Sequence, residues 1–450
     1  MKGRESMTNH ATAARMILSI VIVFASCDSL LAQHDRLGLE GATAVERGRN
    51  LFDWVWEPTT LPKAAGRADG LGPMFNARSC SECHHQGGSG GSGANDRNID
   101  IVTARPADTG FPQFPGYSFS YSFRMVNGRF EYRFGNGNDD RNARAASDTL
   151  RRLDPALLAA VHEGFRHSPS IVLHKFSTDG SYRDYRRTVP GSHGDFVVEL
   201  SQRNTPSLHG LGEIEAIDDK ALLNQAARQR LLGMGGRVAR TADGRIGKFG
   251  WKGQKATLRE FVEEAAAGEL GLETPDRHQG ADPRGPAEPA PGLDLGKDQI
   301  DSITAFVTSL ARPVGEDSES NRSGQRLFRE LECSKCHVPN LGGVEGLHSD
   351  LLLHDMKPEP RETGQYRVFG TSEMAAGDAV DADAIARADE WRTPPLWGIR
   401  NTAPYMHDGR ASNLEQAILE HGGEAEASSR KYSRLNETQK DHLTRYLRSL

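Results

Sequence analysis

The chain has 450 residues, 37% of them hydrophobic, with 48 glycines, 22 prolines and a net charge of −6. That length holds two or three domains with substantial cores, and the composition suits a loop-rich globular protein wrapped around cofactors. The 55 basic residues are scattered rather than clustered, which removes the case for nucleic-acid binding.

The N-terminus reads as an export signal. Lys2, Arg4 and Arg15 precede an apolar run at 16–25, too short to span a bilayer and right for a signal h-region. Residues 1–32 are assigned to the signal, which places the mature chain in the periplasm or otherwise outside the cytoplasm. Cys27 follows Phe24-Ala25-Ser26 and resembles a lipoprotein box with an atypical first residue. It is either a lipid anchor or it leaves with the signal.

Two five-residue stretches carry most of the chemistry: Cys80-Ser81-Glu82-Cys83-His84 and Cys333-Ser334-Lys335-Cys336-His337. Each is a C-x-x-C-H box, the attachment signal for c-type haem. Two cysteines one helical turn apart can bond the two vinyl groups of one porphyrin, and the adjacent histidine supplies an axial nitrogen. Zinc ribbons use paired C-x-x-C knuckles too, but usually within tens of residues of each other. A thioredoxin-like dithiol expects a βαβ context and no following histidine. The boxes take four of the five cysteines and predict two covalent haem c groups, with His84 and His337 as proximal iron ligands.

Four landmarks occur twice in the same order. Gly48-Arg49-Asn50-Leu51-Phe52 and Gly324-Gln325-Arg326-Leu327-Phe328 precede the boxes. After them come Thr205-Pro206 and Thr393-Pro394 turns, then Trp251-Lys252-Gly253 aligned with His407-Asp408-Gly409, then closing helices. The pattern predicts a mainly α protein of two cytochrome c-like haem domains from an internal duplication, at 37–315 and 316–450. The first carries insertions at about 96–200 and 212–248. The earlier insertion contains a hairpin, with Phe119, Tyr121 and Phe123 alternating before Asn127-Gly128 and Phe130, Tyr132 and Phe134 after it, and its aromatic face is expected to pack on the haem domain. The later one holds a polar helix from Asp218 to Leu232. Residues 273–297 read as a long surface loop before a helix at 298–311.

The sixth iron ligand separates an electron carrier from a reactive haem. In the second half, helical spacing puts His421 on one face with Leu414 and Ala417, just before Gly422-Gly423, and marks it as the distal ligand, with Met406 the competitor. At the matched position of the first half stands Ala265, which cannot bind iron. The repeat therefore predicts two unequal haems. His209, Met234 and His174 are further ligand candidates near the first. Glu264, Glu269, Glu213 and Glu215 are candidate acid–base groups above it. Arg392, Arg400 and Arg410, with Asp408, suit haem propionates. Trp251 is either an electron relay between the haems or a packing residue.

These features resemble the di-haem oxidoreductase family, thiol-oxidoreductase-like proteins related to bacterial di-haem cytochrome c peroxidases. The resemblance rests on 70–79 running into the first box, Phe249-Gly250-Trp251-Lys252, the 348–356 run and 403–410, and covers the chain from about residue 40. It implies an electron-transfer haem in the C-terminal domain, a reactive haem in the N-terminal one, and a distal ligand at the position of His421. Those peroxidases carry a glutamine ten residues after the tryptophan and an acid twenty after it. Here those places hold Phe261 and Gly271, with Glu269 two residues short. Related peroxidases also hold calcium between domains, for which this sequence has no motif.

The resulting expectation is an exported, peroxidase-like oxidoreductase that takes electrons from a small redox protein or other donor and passes them to an oxidant such as peroxide. A non-catalytic electron carrier and a haem-based sensor of small ligands are the alternatives.

Overall fold

The computed structural model describes residues 41–58, 68–107, 119–126, 128–136, 149–180, 190–241, 243–280, 290–316, 321–356, 386 and 389–450. Residues 1–32, read from the sequence as an export signal, lie outside them, Cys27 included. No helix among the described residues is long and apolar enough to cross a membrane.

The repeated G-x-x-L-F motif explains itself in three dimensions. Helix Ala44–Asp53, started by a Thr43/Glu46 capping box, packs on helix Lys297–Ser309. Helix Arg322–Glu330 packs on helix Glu437–Arg448 in the same way. A Cβ on Gly48 would sit 1.8 Å from the Ser302 carbonyl oxygen, and one on Gly324 would sit 2.2 Å from that of His442. Glycine is what lets each pair touch backbone to backbone. The leucine and phenylalanine that follow are buried, and each phenylalanine reaches its box. Phe52 lies 6.2 Å from the His84 ring and 5.2 Å from Phe306; Phe328 lies 6.4 Å from the His337 ring and 5.5 Å from Tyr446.

A mainly α chain was the expectation, and the described residues depart from it. They contain a four-stranded antiparallel sheet as well as smaller ones. The sheet joins Ile99–Pro106, Ser170–Leu173, Phe196–Arg203 and Gly191–His193, with Ile99–Pro106 and Phe196–Arg203 paired along their full lengths. Val102, Ala104, Ile171, Leu173, Phe196 and Val198 face one way and bury against Leu158 and Phe165. The insertion thus has a core of its own, because alternating β-branched residues make a half-buried sheet without any cofactor.

The predicted hairpin forms, Phe119–Val126 against Arg129–Asn136 with Val126 opposite Arg129. Gly128 takes a left-handed φ of 74° at the reversal; Asn127 and the hairpin's aromatic side chains lie outside the described detail. The polar helix expected from Asp218 to Leu232 forms at Asp219–Leu231, N-capped by Asp218. It is no surface decoration. Gln229 is fully buried and donates to the Lys335 carbonyl at 2.5 Å and to Asp350 at 2.8 Å, across to the second half.

The described ends of the loop expected at 273–297, residues 273–280 and 290–297, are anchored rather than superficial. Asp294 is buried and accepts from the Gly70 and Glu273 amides at 2.7 and 2.8 Å. The two halves also share a core: Leu341, Leu347, Leu351 and Trp397 pack with Leu208, Leu211, Ile214 and Phe249. Asn95, Asn98 and Asn204 of the first half then hold the 407–409 turn of the second by its backbone.

Candidate functional site

Each box is a short turn with its histidine tethered. Ser79 caps the Cys80–Cys83 turn by accepting from the Glu82 amide, and the His84 amide closes on the Cys80 carbonyl at 3.0 Å. His84 Nδ1 donates to the Gly91 carbonyl at 3.0 Å, and His337 Nδ1 donates to the His348 carbonyl at 3.0 Å. A carbonyl only accepts, so each Nδ1 carries the hydrogen and each Nε2 is left with its lone pair. Burial pushes both imidazoles down to about 4. They are neutral at ordinary pH, the form that binds metal.

The four thiols are free and stand above the ordinary thiol range, Cys80, Cys83 and Cys333 at about 12, chiefly through burial. Such thiols are poor thiolate ligands and poor redox dithiols.

His421 faces the second box. Helix Leu414–Leu419 ends two residues before it, short of the Gly422-Gly423 stop expected from sequence. His421 Nδ1 donates to the Ala417 carbonyl at 2.7 Å, and its ring centre lies 6.4 Å from that of His337. Two metal–imidazole bonds of about 2 Å, plus the half-width of each ring, require roughly 6 Å between centres. The pair would hold one iron from both sides. Met406 lines the same cavity, which measures about 550 Å³ and runs from Pro206, Trp251 and Phe261 to His337 and His421.

The matching helix of the first half carries different side chains. On helix Leu258–Glu269, started by a Thr257/Glu260 capping box, Phe261, Val262, Ala265 and Glu269 share one helical face and are only half-buried. At the sequence position matched to His421 stands Ala265, whose methyl group offers no ligand atom. Glu269 accepts from Asn76 Nδ2 at 2.8 Å, and its charge is felt at Cys83. Burial, helped by Glu264, pushes its carboxyl up to about 8 against the pull of Asn76 and Lys175.

The other carboxylates proposed from sequence serve the scaffold. Glu264 is buried between Lys255 and Arg277, 2.9 Å from each. Glu215 accepts from the Leu258 amide at 2.9 Å and so caps the helix that carries Glu269. Glu213 pairs with Arg312 at 3.2 Å. Of the ligand candidates near the first box, His174 is tied to the Gly268 carbonyl at 2.9 Å. Met234 sits by the second box, beside Gly235, whose amide meets Glu424 at 2.9 Å. His209 lines the cavity with Nδ1 3.2 Å from Ser207 Oγ.

Several cations gather around Trp391 and His407, which line the cavity of the second box. Arg392 is 9% exposed, Arg203 is 6% exposed, and burial lowers them to about 10 and about 9. Arg410 Nε lies 3.4 Å from Asp408. Lys252 stands 3.6 Å over the Trp391 ring, which stacks on His407 at 3.6 Å. Burial and the neighbouring cations hold His407 well below the usual imidazole range. This excess of buried positive charge suits propionates. Arg400 does not join it and pairs with Glu316 at the surface. Trp251 lines the cavity and donates from Nε1 to the Asn204 carbonyl at 2.9 Å.

The geometry agrees with a comparison to known sequences. The family described as "Di-haem oxidoreductase, putative peroxidase" matches residues 169–450. The chain belongs to the di-haem oxidoreductase family. The first box lies upstream of the matched stretch. A cytochrome c551 peroxidase of Nitrosomonas europaea is 28% identical over 102 residues, 22% of this chain and 26% of that protein. The chain therefore spans about a quarter of that relative's length in the match.

Among solved structures, Kuenenia stuttgartiensis hydrazine synthase aligns with a TM-score of 0.33 and 16% identity, over 56% of this chain and 73% of the other. A MauG-like protein associated with microbial copper homeostasis aligns with a TM-score of 0.26 and 21% identity, over 47% and 76%. As a member of the di-haem oxidoreductase family, the chain is a haem protein of peroxidase-like kinship.

Sequence reasoning missed one cluster. Cys336, Asp350 and His354 bring ligand-type atoms within 4.8 Å of one another. A metal there is disfavoured, because His354 spends Nε2 on Asp350 at 2.9 Å and Nδ1 on Glu424 at 3.0 Å. An imidazole bonded through both nitrogens to carboxylates has no lone pair left. The four-residue spacing of Asp350 and His354 was visible in sequence; Glu424, 70 residues beyond His354, was not.

Proposed function

We propose that the protein is an exported di-haem c-type cytochrome with peroxidase-like oxidoreductase activity. Haem at Cys80, Cys83 and His84 is the reactive centre, and haem at Cys333, Cys336 and His337 relays electrons. The contrast between the His337–His421 pair and Ala265 at the matched position of the first half carries this reading. The paired glycine contacts and paired phenylalanine–histidine contacts support two haem domains of common origin. Export rests on the basic and apolar pattern of residues 1–32.

Iron porphyrin at the first box supplies the redox chemistry. Reduction of hydrogen peroxide to two waters consumes two protons and two electrons. Glu269 holds a proton below about pH 8, and Asn76 fixes its carboxyl, so it can deliver that proton to a departing oxygen. Phe261, Val262 and Ala265 leave the face open and apolar. Trp251 lines the cavity that reaches the second box, where an aromatic ring suits an electron path toward its haem.

Turnover of peroxide with a reduced small cytochrome as donor tests the activity. Peroxide-dependent oxidation of the donor, blocked by cyanide, is expected. No turnover together with two cyanide-insensitive haems would favour the electron-carrier reading instead.

A further inference from the structure

Beside the second box lies a chain of charges with no part in the mechanism above. His354 is 1% exposed and Asp350 is fully buried. Asp350 Oδ2 meets His354 Nε2 at 2.9 Å, and Glu424 Oε2 meets His354 Nδ1 at 3.0 Å. Both ring nitrogens face carboxylate oxygens, so both must donate, and the ring is an imidazolium. The same Nδ1 is 3.7 Å from Cys336 Sγ.

Every member is held from elsewhere. Asp350 accepts from Gln229 Nε2 at 2.8 Å and the Leu352 amide at 3.0 Å. Glu424 accepts from the Gly235 and Asp355 amides at 2.9 and 3.1 Å. Three separate stretches of chain, at 229–235, 350–355 and 424, thus meet at the ring beside that sulfur, which is more fixing than a single histidine needs for packing.

We propose that Asp350, His354 and Glu424 form a buried charge ladder that sets the reduction potential of the C-terminal haem from the Cys336 side. The inference rests on the reading that Cys336 carries a haem thioether. Reduction adds one electron to the iron, so a nearby positive charge favours it and a nearby negative charge opposes it. The two carboxylates and one imidazolium work against each other, and removing either sign moves the balance in a known direction. One unit charge about 8 Å away, at an effective dielectric near 20, changes a one-electron equilibrium roughly tenfold or more. These are positioning residues that act through the haem edge and touch no substrate.

The test is spectroelectrochemical titration of both haems in the full-length haem-loaded protein and in H354Q and E424Q. H354Q is expected to lower the C-terminal midpoint and E424Q to raise it, each by the equivalent of about tenfold, which is about 59 mV for one electron. The N-terminal midpoint serves as the internal reference and stays in place. Low-spin absorption of the C-terminal haem persists in both variants, because neither touches His337 or His421. A purely structural role would not produce shifts of opposite sign. Unchanged midpoints, or shifts of the same sign, overturn the ladder. Should H354Q fail to fold, E424Q alone decides by the sign of its shift. Protein without two haems would contradict the proposed function itself, a result distinct from haems that are present and do not move.

Discussion

His421 is where the two halves part company. Its Nδ1 is committed to the Ala417 carbonyl, its ring faces His337, and Ala265 stands in its place on the other side. His421→Ala is expected to convert the C-terminal iron from low-spin to high-spin and to let it bind cyanide, as read by absorption spectroscopy. A low-spin C-terminal haem in that variant would hand the ligand role to Met406. Glu269 gives a pH prediction. Its carboxyl is raised from the usual 4.5 to about 8, so the folded state keeps a proton that the unfolded chain releases between those values. Stability therefore falls as pH rises through that window. Peroxide turnover that depends on the protonated acid falls as pH passes about 8, and Glu269→Gln lowers it and flattens that limb. A turnover profile identical to the native one would remove Glu269 from the chemistry.

At the scale of elements, the glycine at the head of each G-x-x-L-F motif decides whether its helix pair closes. A methyl group on Gly324 would enter the His442 carbonyl, and one on Gly48 the Ser302 carbonyl. Each Gly→Ala change is expected to cost about 1–3 kcal/mol in urea unfolding, with the adjacent haem perturbed. A neutral result at either would break the parallel between the halves. The motif was legible because close approach leaves a one-residue signature in sequence. The boxes and the helix from Asp218 were legible for similar local reasons: a fixed spacing, a cap, a period.

The four-stranded sheet was not read from the sequence, because its strands come from positions 99–106, 170–173 and 191–203 and only their pairing reveals it. The ion pairs of Glu264 were not legible for the same kind of reason. Its partners Lys255 and Arg277 lie on other segments, and nothing local announces the salt bridge.

For the molecule as a whole, the boundary at 316 divides the chain but not the core. Leu341, Leu347, Leu351 and Trp397 bury against the first half, and Gln229 crosses to hold Asp350 and the Lys335 carbonyl. Residues 316–450 produced alone would expose that apolar surface, and are expected to aggregate or to unfold without a cooperative transition. A monomeric fragment with a sharp melt would show that the second half is self-sufficient. The shared core also sets Phe261 and Trp251 of the first half on the lining of the same cavity as His337.

Inequality of the two irons is the claim that everything functional depends on. Electron paramagnetic resonance of the oxidised, haem-loaded protein measures it directly. The account predicts one high-spin and one low-spin ferric signal of equal integrated weight, with cyanide converting the high-spin signal alone. Two low-spin signals untouched by cyanide, or a single haem per chain, would contradict it.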